Sequence, residues 1–270
     1  MPELPEVETT RLGLLPRLQG RRVQQLVVRN PRLRWPVPEG LAGQLVGKTL
    51  RDLTRRGKYL LFDFGAGTQL VHLGMSGSLR FAELGETGGI HDHIDWTFDD
   101  GTVLRLRDPR RFGAVLWAPD PLLHPLLARL GPEPLSEAFD GPYLFAQCRK
   151  RSAAIKPVIM DSHVVVGVGN IYASESLFHA GIRPGTAAQK LTRPACSRLG
   201  DAIKRVLTAA IAAGGSSLRD YVQTSGDLGY FQLHTQVYNR AGLACKHCGS
   251  SIRRIVQGQR ASFYCPGCQR

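Results

Sequence analysis

Four cysteines near the end of the chain have the spacing of a metal site. They form two pairs, Cys245-x2-Cys248 and Cys265-x2-Cys268, and sixteen residues separate the pairs. Paired CxxC units at this separation are typical of a tetrahedral zinc site, although a redox pair or a chance cluster are the alternatives. Because four thiolates leave no position for water, we expect one zinc ion with a structural role.

The first residues could supply an amine nucleophile. The chain begins Met1-Pro2-Glu3, and removal of Met1 would leave Pro2 with a secondary α-amine. A terminal amine has a pKa of about 7.7–8.0, so part of it is neutral at pH 7, and a secondary amine can form an iminium with an aldehydic carbon. Glu3 could move protons beside it. Since a Met-Pro start is also an ordinary start, these residues predict catalysis only together with other motifs.

Two further segments could bind nucleic acid. Gly167-Val-Gly169 leads into a predicted helix capped by Asn170, and backbone N–H groups at a helix start can bind phosphate. In the segment 108–113, the pair Arg110-Arg111 precedes Phe112 at a predicted turn. Apolar side chains can wedge between base pairs, and arginine can fill the space of an extruded base. The alternatives are an ordinary glycine turn and a solvated arginine pair beside a core phenylalanine.

The hydrophobic pattern predicts the elements that must position these residues. Apolar spacing, with Pro5 and two glutamates in the first turn, predicts a helix over residues 5–18. The segments after it are β-branched or alternating, and Asp100-Gly101 marks a hairpin turn. The predicted strands cover residues 23–29, 59–64, 94–98, 103–107 and 114–117. Many short strands with turns between them indicate a β-sandwich or barrel.

The pattern becomes helical after residues 131–135, a Gly-Pro-Glu-Pro-Leu segment typical of a turn or interdomain hinge. Residues 199–213 have the apolar spacing of a helix, which Gly214-Gly215 would close. Cys148 and Cys196 stand alone here and are predicted to be free buried thiols. The sequence therefore predicts an N-terminal β domain, a helical domain and a zinc-binding tail.

The net charge indicates a polyanionic partner. The 270 residues carry 35 Lys and Arg against 22 Asp and Glu, a formal charge of +13 with a pI near 9.9. Nucleic acid is the leading partner for so basic a protein, although genomic codon bias also explains an arginine-rich composition. No apolar run reaches the ~18–20 residues that cross a bilayer, and no signal-peptide pattern opens the sequence. We therefore expect an intracellular protein.

Five motifs together resemble the formamidopyrimidine-DNA glycosylases. They occur in the family's order over essentially the whole chain: Pro2–Glu8, Gly74–Gly77, Asp108–Gly113, Gly167–Phe178 and the four-cysteine tail. The resemblance implies an α+β multidomain fold, with an N-terminal β-sandwich and N-terminal helix, a helix-two-turn-helix domain and a C-terminal zinc-finger β-hairpin. The implied boundaries are 1–130 for the catalytic β-sandwich, 131–148 for the hinge and start of the helical region, 149–235 for the helix-two-turn-helix domain and 236–270 for the zinc finger.

The resemblance also implies a reaction. The family removes oxidised purines, chiefly 8-oxoguanine and formamidopyrimidines, from duplex DNA and then cuts the strand by β- and δ-elimination. It implies that Pro2 attacks the deoxyribose C1′ to form a Schiff base, with Glu3 as acid/base and Lys58 as proton donor in β-elimination. Arg260 aligns with an arginine assigned to δ-elimination. Because the pKa of arginine is above about 12, we expect Arg260 to stabilise charge on the departing phosphate.

DNA contacts follow from the same resemblance. Met75 and Arg110 would replace the flipped nucleotide, and Phe112 would wedge beside the orphan base, which offsets the cost of unstacking. Residues 216–230 correspond to a loop that closes over the flipped base. Further contacts are implied at three positions, of which the last has arginine where the family commonly has lysine: His91, Asn170 and Arg151.

The expected partner is damaged double-stranded DNA, bound by a monomer in the cytoplasm of a bacterial-type cell, at the nucleoid, with no membrane contact. An endonuclease VIII-like enzyme for oxidised pyrimidines would share the fold and Pro2. That branch typically begins Pro-Glu-Gly-Pro and lacks the Met/Arg/Phe triad, so Leu4 and the triad argue against it. A non-catalytic zinc-finger DNA-binding protein would explain the charge and the cysteines, but it would not require the four catalytic residues together.

Overall fold

The computed structural model describes residues 2–216 and 235–270, and within them the chain forms two compact units. The first unit runs to Ala128 and includes residues 213–216, and the second runs from Arg129 to Ala212 and continues from Thr235. Apart from Ser216, the predicted loop 216–230 lies outside the described residues. No helix of the described part is long and apolar enough to cross a membrane. The four predicted domain boundaries stay a prediction.

Within its described residues, the first unit contains two antiparallel four-stranded sheets and two α-helices. The strand orders are β1-β6-β7-β5 and β2-β3-β4-β8. The bounds are α1 Leu4–Leu18, β1 Val23–Val28, α2 Leu41–Leu45, β2 Asp52–Arg56, β3 Tyr59–Asp63, β4 Thr68–His72, β5 Ser78–Ala82, β6 Asp92–Phe98, β7 Val103–Arg107 and β8 Ala114–Ala118, followed by a 3-10 turn at Pro121–Leu123.

One hydrophobic core lies between these sheets and α1. Apolar side chains from both sheets and from the helix contribute to it, and each fully buried Val or Leu is worth about 1.5–3 kcal/mol. Its members include Val7, Leu14, Leu18, Phe62, Val71, Ile94, Trp96, Leu106 and Val115. The predicted N-terminal β-sandwich with its helix is confirmed.

The alternating segments became strands close to their predicted bounds, but three strands were not predicted. These are β2, β4 and β5. In β2 only Leu53 is buried, so the strand lacks an alternating pattern. It is held instead by its pairing with β3, over the register Asp52↔Asp63 to Arg56↔Tyr59.

A buried ion network covers the second face of β6. The alternation of Ile94, Trp96 and Phe98 suggests that the other face meets water, yet Asp95 is buried as well. Arg105, which is 1% exposed, donates from Nε and Nη2 to the two Asp95 carboxylate oxygens, each at 2.8 Å. Its Nη1 donates to Glu86 Oε1 at 2.8 Å. Asp95 and Arg105 face each other across the hairpin of β6 and β7, but the alternating pattern does not indicate that this second face is buried.

Substitution of Asp95 tests this network. Burial raises the pKa of Asp95, but hydrogen bonds from Arg105 and Arg29 lower it further, so the net pKa lies below the ordinary 3.8. At pH values above 3.8 the ion pair therefore stabilises the folded state. This stabilisation is lost as the pH falls through the lowered pKa of Asp95. We expect Asp95→Asn to destabilise the first unit by about 3–5 kcal/mol at pH 7, because Arg105 stays buried without its main anion.

Urea unfolding at pH 7 and at pH 3, followed by tryptophan fluorescence, checks this. The variant should also lose less stability on acidification than the wild type. Asp99→Asn, at an exposed position two residues after Thr97, is the control and should match the wild type. Equal stability and equal pH dependence for Asp95→Asn would contradict the network's role.

The second unit is helical and ends in a two-stranded hairpin. α3 and α5 both pack on α6. The bounds are α3 Gly141–Arg149, α4 Ile155–Met160, α5 Asn170–Ala180, a 3-10 turn Ala188–Lys190, α6 Arg193–Ala212, β9 Arg253–Gln257 and β10 Arg260–Tyr264.

The long helix of this unit, α6, begins six residues before its predicted start. Thr192 Oγ1 accepts a hydrogen bond from the Ala195 N–H at 3.3 Å, and Pro194 follows as the second helical residue. Both are ordinary helix-start signals that the apolar spacing alone passes over. Cys148 and Cys196 are free and buried, as predicted.

Candidate active site and zinc centre

Pro2 and Glu3 are buried at the start of α1. Glu3 is the N-cap of the helix, and its N–H donates to Glu6 Oε2 at 2.7 Å while the Glu6 N–H donates back to the Glu3 carboxylate. This capping box satisfies two helix-start donors reciprocally. The N–H dipoles at a helix start also favour an ionised carboxylate and a neutral amine nearby. The predicted nucleophile and acid/base therefore share one rigid, largely dry position.

Glu6 is a site residue that the sequence analysis placed only in the helical first turn. Its carboxylate is 2% exposed, and Oε1 accepts hydrogen bonds from Ser216 N at 2.7 Å and Ser216 Oγ at 3.1 Å. One side chain thus joins the N-terminus of α1 to residue 216. The Glu-x-x-Glu spacing was the available signal, because it is the spacing of a capping box.

Lys58 lies in the two-residue turn between β2 and β3 and is half-buried. Arg55 anchors this turn, since its Nη1 donates to the Gly57 carbonyl and its Nε donates to Glu8 Oε2, each at 2.9 Å. Burial raises the pKa of Glu8, but hydrogen bonds from Arg11 and Arg55 outweigh it and lower the pKa overall. Helix α1 therefore holds both the N-terminal residues and the Lys58 turn.

His72 pairs with Tyr59 across β3 and β4, with ring centroids 4.8 Å apart. Burial and the positive charges of Lys58 and Arg34 lower the pKa of His72 to about 4, so the ring is neutral at pH 7. Its Nδ1 accepts a hydrogen bond from the Gly74 N–H at 3.0 Å. The sequence analysis missed His72, because one histidine in a strand carries no spacing signal.

The buried Asp108 carboxylate joins two turns of the first unit. Its Oδ1 accepts from Ser76 Oγ and its Oδ2 accepts from the Gly113 N–H, each at 2.8 Å. Ser76 Oγ in turn accepts from the Arg110 N–H at 3.2 Å. The turn that carries Met75 and the turn that carries Arg110 are therefore one hydrogen-bonded structure.

The predicted triad of Met75, Arg110 and Phe112 lies on these joined turns. Gly74 has φ +62°, and a Cβ at that position would lie 2.3 Å from the Phe112 carbonyl carbon. Only glycine permits this approach. Phe112 is 41% exposed, and the Arg110 guanidinium lies 4.8 Å from its ring centroid. The structure brings the three residues together, with an aromatic ring and a cation facing solvent.

The backbone of His91 is hydrogen-bonded to Asp108, beside the two joined turns. Its carbonyl accepts the Asp108 N–H at 2.9 Å, and the His93 ring Nε2 lies 2.8 Å from the Asp108 carbonyl oxygen. The His91 side chain itself is half-buried. Its backbone therefore has a fixed position beside the two turns, with part of the imidazole accessible.

In the second unit, Lys156 links Asn170, a predicted DNA contact, to the strand that carries Arg260, a predicted catalytic residue. It is 1% exposed, and its Nζ donates to Asn170 Oδ1 at 2.6 Å, Ser262 Oγ at 2.8 Å and the Ala261 carbonyl at 3.0 Å. Arg260 directly precedes Ala261 and is exposed. A cavity of about 250 Å³ beside them is lined by both Lys156 and Arg260. Sequence analysis missed Lys156, because nothing local marks a lysine as buried.

Asn170 is not the cap of its helix, contrary to the prediction. Gly169 is the N-cap, and Asn170 is the first residue of α5 with its side chain bonded to Lys156. Arg151 is half-buried just after α3, and its Nη1 donates to both the Gln147 carbonyl and the Gln147 side-chain oxygen at 2.8 Å. The roles of these side chains in DNA binding stay predictions.

The four predicted cysteines form a metal centre. Their sulfur atoms all lie within 4.8 Å of one another, with Cys248 Sγ 3.4 Å from Cys265 Sγ and Cys245 Sγ 3.9 Å from Cys268 Sγ. A tetrahedron of ~2.3 Å Zn–S bonds has edges of ~3.8 Å, so the four thiolates fit one zinc ion with no open position. The site is structural, and no step of the chemistry passes through the metal.

The zinc centre supports a small hairpin with little core of its own. Its apolar cluster contains Val237, Ile252 and Phe263 besides two of the cysteines. Gly258 and Gln259 both have positive φ, 53° and 63°, as a two-residue type I′ turn requires. Arg260 directly follows that turn. Metal binding energy therefore replaces the missing core and fixes the strand on which Arg260 lies.

Comparison with known proteins identifies the class of protein. Three family models match: the formamidopyrimidine-DNA glycosylase N-terminal domain over residues 1–115, the formamidopyrimidine-DNA glycosylase H2TH domain over residues 130–222, and the zinc finger found in FPG and IleRS over residues 242–270. The formamidopyrimidine-DNA glycosylase of Thiobacillus denitrificans is 73% identical over 100% of both chains.

Solved structures agree with this. MutM (FPG) from Thermus thermophilus has a TM-score of 0.89 at 39% identity and covers 99% of this chain, with 98% of its own length covered. The Lactococcus lactis FPG mutant G226P, solved with a Fapy-dG containing DNA, has a TM-score of 0.92 at 36% identity over 100% of both chains.

Fold, zinc centre and relatives thus define a base-excision-repair DNA glycosylase with AP lyase activity. The chain belongs to the formamidopyrimidine-DNA glycosylase family. The predicted fold and the structural zinc finger are confirmed. The two alternatives, an endonuclease VIII-like enzyme and a non-catalytic binder, are not favoured by these relatives.

Asp108→Ala tests the joined turns. Removal of the carboxylate leaves the Gly113 N–H and the Ser76 hydroxyl without their acceptor, at a cost of about 1–3 kcal/mol for each buried group. We expect the base-excision rate to fall roughly tenfold to hundredfold, because a shift of about 1 Å in a positioned group has that effect. Single-turnover excision assays measure it.

Asp108→Asn is the matched variant for this prediction. An asparagine amide can donate to Ser76 Oγ and its oxygen can accept from the Gly113 N–H, so most of the activity should return. Loss of activity in the asparagine variant equal to that in the alanine variant would argue for a role of the negative charge rather than of the two hydrogen bonds.

Cys245→Ser tests the independence of the zinc centre. We expect loss of zinc, loss of DNA binding and loss of strand cleavage without unfolding of the first unit, because its core shares no residue with the hairpin cluster. All three tryptophans, Trp35, Trp96 and Trp117, lie in the first unit, so tryptophan fluorescence reports its unfolding alone. A melting temperature for that signal far below the wild-type value would contradict the prediction.

Proposed function

We propose that this glycosylase releases 8-oxoguanine and formamidopyrimidines from damaged double-stranded DNA through the amine of Pro2. The observation that carries the proposal is the buried start of α1, where Pro2 precedes a 3%-exposed Glu3 locked by the capping box. An amine at this position lies beside a fixed carboxylate and away from bulk water. The Lactococcus lactis relative, solved with a Fapy-dG containing DNA, supports the substrate class.

In the proposed first step, the neutral Pro2 nitrogen attacks the deoxyribose C1′. The bond between C1′ and the damaged base breaks, the base leaves with the electron pair and takes up a proton, and the nitrogen loses its own proton. Glu3 then delivers a proton to the ring oxygen O4′, the C1′–O4′ bond opens, and the nitrogen lone pair forms the C1′ iminium. A carboxylate that alternates between acid and base suits both proton transfers.

Two eliminations then follow from the iminium. Loss of a C2′ proton breaks the C3′–O3′ bond and expels the 3′ phosphate, and loss of a C4′ proton breaks the C5′–O5′ bond and expels the 5′ phosphate. We assign Lys58 to proton donation in the first elimination, which the anchoring of its turn to α1 through Arg55 supports. We assign Arg260 to stabilising the departing phosphate in the second, since a guanidinium binds phosphate without giving up its proton.

Base extrusion uses the joined turns in this proposal. Met75 and Arg110 fill the space of the flipped nucleotide, and Phe112 lies against the orphan base. The exposed ring of Phe112 and the fixed backbone at Asp108 support these roles. DNA contacts are assigned to His91, Asn170 and Arg151, and the partner of Arg151 is a phosphate.

The acting species proposed here is a monomer in the cytoplasm, bound to the nucleoid. The formal charge of +13 supports binding to polyanionic chromosomal DNA. Sedimentation of the enzyme alone and on a short lesion duplex would distinguish one copy from two.

Borohydride trapping tests the proposed chemistry. Reduction of the iminium on a duplex with 8-oxoguanine opposite cytosine should give a stable adduct, and peptide mass mapping should locate it at Pro2. Trapping on an oxidised-pyrimidine duplex but not on this one would contradict the lesion class. An adduct at a lysine would contradict the assignment of Pro2 as the nucleophile.

A blocked N-terminus is the matched control. A chain that keeps one extra residue before Pro2 has an amide nitrogen there, which cannot attack C1′. It should bind a lesion duplex yet give no adduct. An adduct of equal yield from the extended chain would exclude Pro2.

A further inference from the structure

A cationic cleft in the first unit contains two arginines, Arg32 and Arg34, that have no role in the proposed function. It has a volume of about 540 Å³ and is lined by Arg32, Arg34, Arg110, Arg111 and Phe112. All five side chains are exposed. Among residues 2–216 and 235–270 no salt bridge involves any of these four guanidinium groups. Four uncompensated cations around one cleft indicate a site for an anion.

One wall of this cleft is a short ordered segment after β1. Leu33 and Val37 are buried in the core, and both of their N–H groups donate to the Pro31 carbonyl at 2.9 Å. Arg32 and Arg34 flank Leu33 and therefore project outward. Because the backbone is fixed by the buried residues between them, the two arginines are presented as a pair.

The other wall is the turn with Arg110, Arg111 and Phe112. Trp35 pairs with Ala114, so the two walls are tied by backbone pairing just beyond that turn. Arg111 has φ +57°, a conformation that non-glycine residues rarely adopt, and its N–H donates to the Asp108 carbonyl at 3.1 Å. The charged groups of the cleft thus lie on two supports with a fixed separation.

The chemistry of the cleft fits a nucleic-acid backbone. Guanidinium groups bind phosphate oxygens through paired N–H donors and stay charged at any physiological pH. The exposed ring of Phe112 also lines the cleft and offers a surface on which a base can stack. Arg34 is also close enough to His72 to lower its pKa, so positive charge continues toward the Lys58 turn.

We propose that Arg32 and Arg34 bind phosphates of the undamaged strand, opposite the lesion. This rests on the proposed function, in which Phe112 lies against the orphan base. Since Phe112 and Arg110 form one wall of the cleft, a phosphate that enters between the walls belongs to the strand carrying that base. The pair holds the undamaged strand in place while the damaged nucleotide is withdrawn.

The test is the salt dependence of binding by Arg32→Ala/Arg34→Ala. The ligand is a duplex with a tetrahydrofuran abasic analogue opposite cytosine, which the enzyme binds without cutting. Loss of two phosphate contacts should reduce the slope of log Kd against log [KCl] by ~2 and weaken binding about tenfold for each arginine. A slope and affinity equal to the wild type would overturn the proposal.

A second double variant controls for net charge. Arg22 and Arg51 are exposed, and Arg22 precedes β1 while Arg32 follows it, so the two ends are ~20 Å apart. Arg22→Ala/Arg51→Ala should bind like the wild type. If it loses as much affinity, the effect is one of overall charge and the cleft has no special role. Unchanged tryptophan-monitored melting in both variants shows that the first unit is folded.

Neutral phosphates identify the strand. A methylphosphonate beside the orphan base in the undamaged strand should weaken the wild type but not the Arg32→Ala/Arg34→Ala variant further. The same replacement in the damaged strand should weaken both equally. If only the methylphosphonate in the damaged strand weakens the wild type more than the Arg32→Ala/Arg34→Ala variant, the assignment of these arginines to the undamaged strand is wrong.

Borohydride trapping separates this inference from the proposed function. At saturating enzyme, the Arg32→Ala/Arg34→Ala variant should still form the Pro2 adduct on 8-oxoguanine DNA. If the wild type forms no adduct, the proposed function fails. If both form it but their salt slopes agree, only the inference fails.

Discussion

The buried Asp108 carboxylate fixes the two turns that carry Met75, Arg110 and Phe112, the residues proposed for base extrusion. A buried carboxylate is costly unless hydrogen bonds satisfy its oxygens, and here the Ser76 hydroxyl and the Gly113 N–H do so. Those donors belong to two different turns, so satisfying one charge also fixes the turns against each other. Gly74, which lets the first turn touch the Phe112 backbone, completes the joint. The exposed ring of Phe112 is therefore held in a fixed position, because neither turn can move without breaking a hydrogen bond to the buried Asp108 carboxylate.

Helix α1 likewise fixes the positions of the residues proposed to carry out the chemistry. Its first turn holds Glu3 through the capping box, and its second holds the Lys58 turn through Glu8 and Arg55. Glu3 and Lys58, the two groups proposed to move protons, are therefore both positioned by one helix. Each buried carboxylate on this helix has N–H or guanidinium partners, which offset its desolvation. Without these contacts the proposed nucleophile, Pro2, would lie on a poorly ordered terminus, since free termini are mobile unless tied down.

In the zinc hairpin, metal and polar links replace a large apolar core. The zinc thiolates order the hairpin, and the buried ammonium of Lys156 ties that hairpin to the start of α5 through Asn170 and Ser262. Glu175 adds a third link, because its carboxylate accepts three consecutive backbone N–H groups from Gln236 to Tyr238. Polar and metal links of this kind specify one arrangement where apolar area is scarce.

Features that depend on near neighbours along the chain could be predicted from the sequence alone. The zinc ligands followed from the spacing of two CxxC pairs, the first helix from Pro5, the first-turn glutamates and the apolar spacing, and the alternating strands from their period of two. Only the tertiary structure decided the burial of Arg105, the neutrality of His72 and the joining of turns by Asp108. These depend on partners in other strands and turns, so desolvation and hydrogen bonding at these groups are set by the tertiary packing. A local pattern carries no record of which distant group will face it.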